Sequence, residues 1–511
     1  LKRPRRPPWF YACAAGVTVA GLTAAFWGSG DVAVMLAPVA VIAAVALIWR
    51  HSLRIPALAL FVVMLLVDNP AERPADGLWV SPLAPVGALI YDTLNKVTGV
   101  SALRFAVLDV ALISLLGLVL YRKATQKTLD PSVPTASCIA ILCALSATAV
   151  AGLEMWGIAR GGDFKNSLWQ VRQIGYVPLI ALIFHGSLRG PDDHRFLGWA
   201  IVGIAAIKTA IGFYFYEVIM RPLNTKPAYV TTHSDSMLFV LAVLVAVALW
   251  NERRTLGTTL LCLGAIPIAM LGMIINNRRL AYVELACSLL AILWIVPWTA
   301  PKRALARAGI ALLPVMVVYA AAGWSSNSKI FRPVQIARSV ISSENDRSTQ
   351  TRDIENFNLY TTLKQSPLLG QGFGHEYSEV SHADDISVIF AQYRYIPHNS
   401  LLGLWAFCGL LGFTAIWLPL VAAVFLARRS YGRARRPEDR TAALMVISIV
   451  IVYAVQAYGD MGLQSWEAAI LMGAALAVVG KLAVAVGAWP AGAPEPSRAP
   501  VLELSGGERL A

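Results

Sequence analysis

Ile396-Pro397-His398-Asn399-Ser400-Leu401-Leu402 sets an imidazole at the mouth of an apolar run, directly after a long polar stretch. Histidine titrates near neutral pH, so His398 suits a general base or a group that orients an acceptor hydroxyl. Asn399 suits substrate contact, and Asn399 or Ser400 suits capping of the helix that follows. Ile275-Asn276-Asn277-Arg278-Arg279-Leu280 ends another apolar run with two guanidinium groups. These stay charged and match phosphate oxygens two at a time, although snorkelling to lipid headgroups is the ordinary alternative. Arg352 adds a third guanidinium ahead of Leu369-Gly370-Gln371-Gly372-Phe373-Gly374. The glycines there permit left-handed dihedrals and close backbone approach to a ligand, which makes Gly370 and Gly372 candidate substrate contacts.

Other groups offer weaker chemistry. His233-Ser234-Asp235 opens an apolar run and reads first as a helix cap, with His233 and Asp235 as candidates to line an acceptor groove. His375 and His382, with Glu376, Asp384 and Asp385, fit no tight metal-ligand spacing, and no metal or other cofactor is assigned. Lys208, Asp109, Glu284 and Glu467 lie in or beside apolar runs, where helix-edge snorkelling accounts for most such charges. Six cysteines (Cys13, Cys138, Cys143, Cys262, Cys287 and Cys408) all sit in apolar runs and read as packing residues. Trp9, Tyr121, Trp250, Trp298 and Trp466 read as interface anchors.

The elements that carry these groups must be membrane helices. Hydrophobic residues make up 57% of the 511 positions and charged residues 14%, more apolar surface than a soluble domain can hide. Apolar runs predict about fourteen spans in an all-α helix bundle: 9–28, 31–49, 55–69, 103–121, 135–157, 170–187, 196–216, 234–250, 256–275, 280–298, 305–323, 401–426, 441–458 and 465–487. The first reads as a retained helix, not a cleaved signal. The net charge of +13 is distributed as basic clusters beside the spans, and it speaks for anionic lipid rather than nucleic acid. With both termini cytoplasmic, those clusters share one side, and Arg278, Arg279 and the 324–397 loop fall on the other. The expected organisation is a first bundle part, 1–323, then a periplasmic loop, 324–397, a second bundle part, 398–488, and a disordered cytoplasmic tail, 489–511. Within 70–102, the apolar stretch Leu83–Ile90 is expected to lie flat or re-enter. Within the large loop, a turn over 345–348 precedes a helix capped by Thr351 or Asp353 and stopped by Ser366-Pro367.

Three of these motifs together resemble the O-antigen ligase and O-antigen polymerase superfamily of bacterial polysaccharide enzymes. They are Asn277-Arg278-Arg279-Leu280, where the family pattern has Ser before a single Arg, then Thr351-Arg352 with Ser366-Pro367-Leu368-Leu369-Gly370-Gln371-Gly372, and Pro397-His398-Asn399-Ser400-Leu401. The resemblance covers about residues 165–426. It implies a metal-independent glycosyltransferase of the bacterial inner membrane, with its active site facing the periplasm. The donor would be a glycan linked to undecaprenyl diphosphate, and the acceptor another glycan or a lipid A core sugar. Arg278 or Arg279, with Arg352, would hold the diphosphate, and His398 would activate the acceptor. The fourteen spans favour a polymerase of exopolysaccharide or O-antigen over a ligase. The competing class is a multi-pass transporter of polysaccharide or lipid-linked precursor, although a transporter would place its polar groups at mid-membrane on broken helices.

Overall fold

The computed structural model describes residues 52–68, 81–98, 104–125, 134–223, 230–298, 300–326, 328–331, 334, 335, 338, 347–382 and 390–490. Spans 9–28 and 31–49, the turn at 345 and 346, Asp384, Asp385 and the tail beyond 490 lie outside them. The described chain is all-α, a polytopic membrane bundle, with one isolated β-bridge between Thr93 and Ala106. In chain order the helices are α1 (Arg54–Leu66), α2 (Ala84–Tyr91), α3 (Leu94–Thr98), α4 (Val107–Ala124), α5 (Ser137–Ala159), α6 (Phe164–Ser187) and α7 (Pro191–Tyr214). After α7, a π-helical turn covers Phe215–Met220. Then follow α8 (Asp235–Glu252), α9 (Leu256–Asn276), α10 (Arg279–Ile295), α11 (Ala300–Gly323), α12 (Arg347–Gln365), α13 (Ser400–Arg433), α14 (Pro437–Gly459) and α15 (Trp466–Ala485). Every predicted span from 55–69 onward has a helix over it. Eight described helices are long and apolar enough to cross a membrane.

Burial sorts the helices. α8, α14 and α15 are buried around most of their circumference and form the centre. α5, α9, α10 and α13 present one buried face and one broad apolar face, as expected where lipid replaces water outside the bundle. α11 is exposed along nearly all of its span. The short α2 covers the apolar stretch expected to lie flat or re-enter.

α12 begins at Arg347, a turn before the expected caps, so Thr351 and Asp353 lie inside it. It ends at Gln365, as Ser366-Pro367 requires. The chain after it does not stay outside the bundle. α13 breaks at Gly409, whose φ of 61° and ψ of −174° only glycine adopts readily. Four backbone hydrogen bonds join residues 367–372 to this break: Leu410 N to Pro367 O (2.8 Å), Leu411 N to Leu368 O (3.1 Å), Gln371 N to Ala406 O (3.4 Å) and Gly372 N to Phe407 O (2.8 Å). A broken helix in an apolar setting is tolerable when protein re-satisfies its backbone in this way.

The same loop docks on two more helices. Asp163 N, at the start of α6, donates to Gly374 O at 2.9 Å. The buried Gln170 of α6 accepts from Gly374 N (2.5 Å), and its amide donates to His375 O (3.2 Å) and Tyr395 O (2.8 Å). One side chain thus clamps both limbs of the loop. Asn358 of α12 pins the intervening stretch by accepting from Val380 N and Ser381 N and donating to Ser381 O. The loop is thereby folded onto the helix ends that carry the charged motifs.

Candidate active site

His398 stands one residue before the Asn399 cap of α13. Its backbone N–H donates to Glu355 Oε2 at 3.0 Å, and its Nδ1 lies 3.4 Å from Glu355 Oε1. Glu355 is buried on α12, and the His398 side chain keeps about a quarter of its surface exposed. A buried carboxylate against one imidazole nitrogen fixes the ring and its tautomer, leaving the other nitrogen for chemistry. Arg352 precedes Glu355 by three residues on the same helix, so the two share a face. Arg352 is partly exposed.

Arg278 forms an ion pair with the buried Asp460, in the turn after α14, and its Nη2 lies 3.0 Å from His233 Nδ1. That imidazole nitrogen is 3.1 Å from Asp460. Asp460 Oδ1 also accepts from Met461 N at 2.9 Å. Burial raises the Asp460 pKa, but the His233 hydrogen bond and the charges of His233 and Arg278 reverse this and hold it well below the ordinary 3.8. The stability gained from this pairing is complete above about pH 3.8 and is lost only as pH falls through the lower, folded value. Mild acidification therefore leaves the Arg278–Asp460 pair intact.

A local backbone device places Arg278. Asn277, at φ 54°, is the one non-glycine residue with positive φ among the described residues, and it turns the chain sharply from α9 into α10. The buried Asn276 beside it donates to Thr232 O (3.1 Å) and Ser236 Oγ (3.3 Å) and accepts from Thr231 N (3.2 Å). This carries His233 to Arg278. Arg279, the other candidate, is exposed on the first turn of α10.

The two charged groups share one end of the bundle. Ser400 Oγ, two residues after His398, donates to Ala457 O (2.9 Å) and Asp460 O (3.2 Å). Contacts thus run from Glu355, one turn from Arg352 on α12, through His398 and Ser400 to Asp460, Arg278 and His233. Glu355 and Asp460, which position the imidazole and a guanidinium, did not stand out in the sequence. The one available signal was the three-residue spacing of Arg352 and Glu355.

Several sequence candidates occupy structural positions. Asn399 is the helix cap: its side chain accepts from Leu402 N at 3.0 Å and donates to Asn356 Oδ1 at 3.0 Å. Gly370 and Gly372 do take positive φ, 70° and 86°, but the backbone they approach is that of Phe407 and Gly157. Both are buried against protein, where there is no room for a substrate at their Cα atoms. His375 Nε2 lies 3.1 Å from Gly157 O, and Glu376 lies beside Arg394, so among the described residues neither gathers into a metal set.

Asp235 lies beneath this end of the bundle rather than in a groove. Lys208 Nζ contacts Asp235 (2.5 Å), Asp68 (2.9 Å) and Glu467. Lys208 and Glu467 are buried, so snorkelling does not describe them; Glu284, with no exposed surface, departs from that expectation too. The three carboxylates form the one constellation among the described residues with spacing suited to a metal, and the Lys208 ammonium binds all of them. Removing a buried ion's partner costs about 3–5 kcal/mol. Lys208→Met is therefore expected to lower the thermal unfolding temperature in detergent sharply. Adding Asp235→Asn and Glu467→Gln should recover much of the loss, and no recovery would mean that Lys208 acts through packing alone.

Residues 264–417 match the family model described as O-antigen ligase. The match spans Arg278, Arg352, Gly370, Gly372 and His398, and supports the O-antigen ligase and polymerase superfamily. That family implies a glycosyl-transferring membrane enzyme with glycan and lipid-linked substrates. No curated protein matches the chain.

Proposed function

We propose that this chain, which residues 264–417 assign to the O-antigen ligase and polymerase superfamily, moves a glycan from an undecaprenyl diphosphate carrier to a glycan acceptor. The observation that carries the reading is the run of contacts joining His398–Glu355, on the helix of Arg352, to Arg278–Asp460 through Ser400. In the proposed reaction, the acceptor hydroxyl oxygen bonds to the anomeric carbon while the bond from that carbon to the diphosphate oxygen breaks. His398 takes the hydroxyl proton, and the carrier leaves as the diphosphate. Arg278 and Arg352 stabilise the negative charge that grows on the leaving group; Asp460 and His233 hold the Arg278 guanidinium in place. Fixed guanidinium groups supply this charge without a metal ion, and they act strongly because the site is partly withdrawn from water.

The reading places the site on the periplasmic face of the inner membrane, where the basic clusters of the opposite face would lie in the cytoplasm. The acceptor we favour is a second carrier-linked chain, making the protein a polymerase of exopolysaccharide or O-antigen; a lipid A core acceptor would make it a ligase. The test is transfer in vitro from a diphosphate-linked glycan, with each acceptor offered separately. Arg352→Ala is expected to lower kcat by about 10²–10³-fold, the usual cost of losing one charge-stabilising donor. Full activity in that variant removes Arg352 from the site. Loss of wild-type activity in chelator overturns the metal-free chemistry.

A further inference from the structure

We infer that a cavity at the opposite end of the bundle binds one anionic phospholipid. The cavity measures about 350 Å³ and lies between α7, α8, α9, α14 and α15. That volume falls within the roughly 300–1,000 Å³ of small-molecule sites. Its walls are apolar over most of their area, with Leu197, Val202, Leu261 and Val478 among them. A lip of charge closes one end: Arg195 and Arg253 with Glu438, which lies 3.1 Å from Arg253. The lip carries one net positive charge. His194 also lines the cavity. It is 9% exposed, and neither ring nitrogen has a hydrogen-bond partner among the described residues.

Both nitrogens are themselves buried, so the imidazole bounds the cavity with its ring carbons and offers it no hydrogen bond. A phosphate oxygen at the lip would accept charge-assisted bonds from Arg195 and Arg253. The attached acyl chain would fill the apolar interior, which a free phosphate would leave empty. The bilayer around the helices supplies such molecules. This site is separate from the His398 end and owes nothing to the glycan-transfer reading.

Gly198 offers a way to close the cavity. A Cβ there would meet only Val245 Cγ1, at 3.9 Å, so a larger side chain extends into the space without a backbone clash. The experiment is native mass spectrometry of the full chain in detergent, with phosphatidylglycerol and phosphatidylcholine of equal chain length added at equal concentration. Wild type is expected to retain phosphatidylglycerol about 10-fold better. Arg195→Gln combined with Arg253→Gln should bring the two lipids to parity. Gly198→Leu should lower retention of both by about 5-fold or more at an unchanged unfolding temperature. Equal retention of both lipids by wild type overturns the headgroup site. Unchanged retention by folded Gly198→Leu overturns the cavity as the place of binding. Should Gly198→Leu not fold, the arginine pair decides the matter alone.

Discussion

Replacing His398 with alanine is expected to lower glycan transfer by about 10²–10⁴-fold, the range that a positioned general base contributes. The fold should survive, because the helix cap belongs to Asn399 and the link to Asp460 belongs to Ser400. Glu355 is a positioning residue in this scheme, acting through His398. Glu355→Gln keeps the size of the side chain and loses its charge, so it should lower kcat by less than His398→Ala while leaving the loop docked. The informative measurement is the double variant. If Glu355 works only by orienting the imidazole, Glu355→Gln in the His398→Ala background should cost nothing further. Additive losses would mean that Glu355 touches substrate itself. Wild-type kcat in His398→Ala would remove the imidazole from the reaction.

Gly409→Ala should be the most disruptive single change in the loop-bearing half of the protein. The backbone there occupies a region that costs other residues about 1–3 kcal/mol, before any contact is counted. A Cβ would also lie 2.3–2.4 Å from Leu368 C, Leu368 O and Leu369 N, all backbone atoms that cannot swing aside. Relieving that overlap means separating the loop from the α13 break and losing the four hydrogen bonds between them. The expected outcome is low yield of monodisperse protein, new tryptic cleavage after the exposed Lys364, and no transfer activity. Gly370→Ala should behave alike, since its Cβ would lie 2.2 Å from Phe407 O. Gly264→Ala, in open space on α9, is the neutral control. Native-like protease resistance in Gly409→Ala would show that loop docking does not depend on this break.

The sequence determined that the chain is a helical membrane bundle, because apolar runs of span length have one stable form in lipid, the hydrogen-bonded helix. It also marked His398, Arg278 and Arg352 as groups worth attention. Imidazole and guanidinium are costly at the edge of an apolar run, and their types alone suggest proton transfer and phosphate recognition. What the glycines do was only half legible. Their positive φ follows from residue type, but whether ligand or protein fills the space beside Gly370 depends on where α13 breaks, 39 residues along the chain. Nor could the sequence choose between Arg278 and Arg279. What holds Arg278 in place, the left-handed Asn277 and Asp460, a carboxylate 182 residues away, is decided by tertiary structure. Lys208 and Glu467 read as edge charges and Asp235 as a helix cap, and only the packing of α7, α8 and α15 with the chain after α1 makes them a buried cluster. Local hydropathy and chemistry depend on neighbours in the chain, so the sequence holds them. The partners of a charge depend on which helix ends meet, and tertiary structure alone decides that.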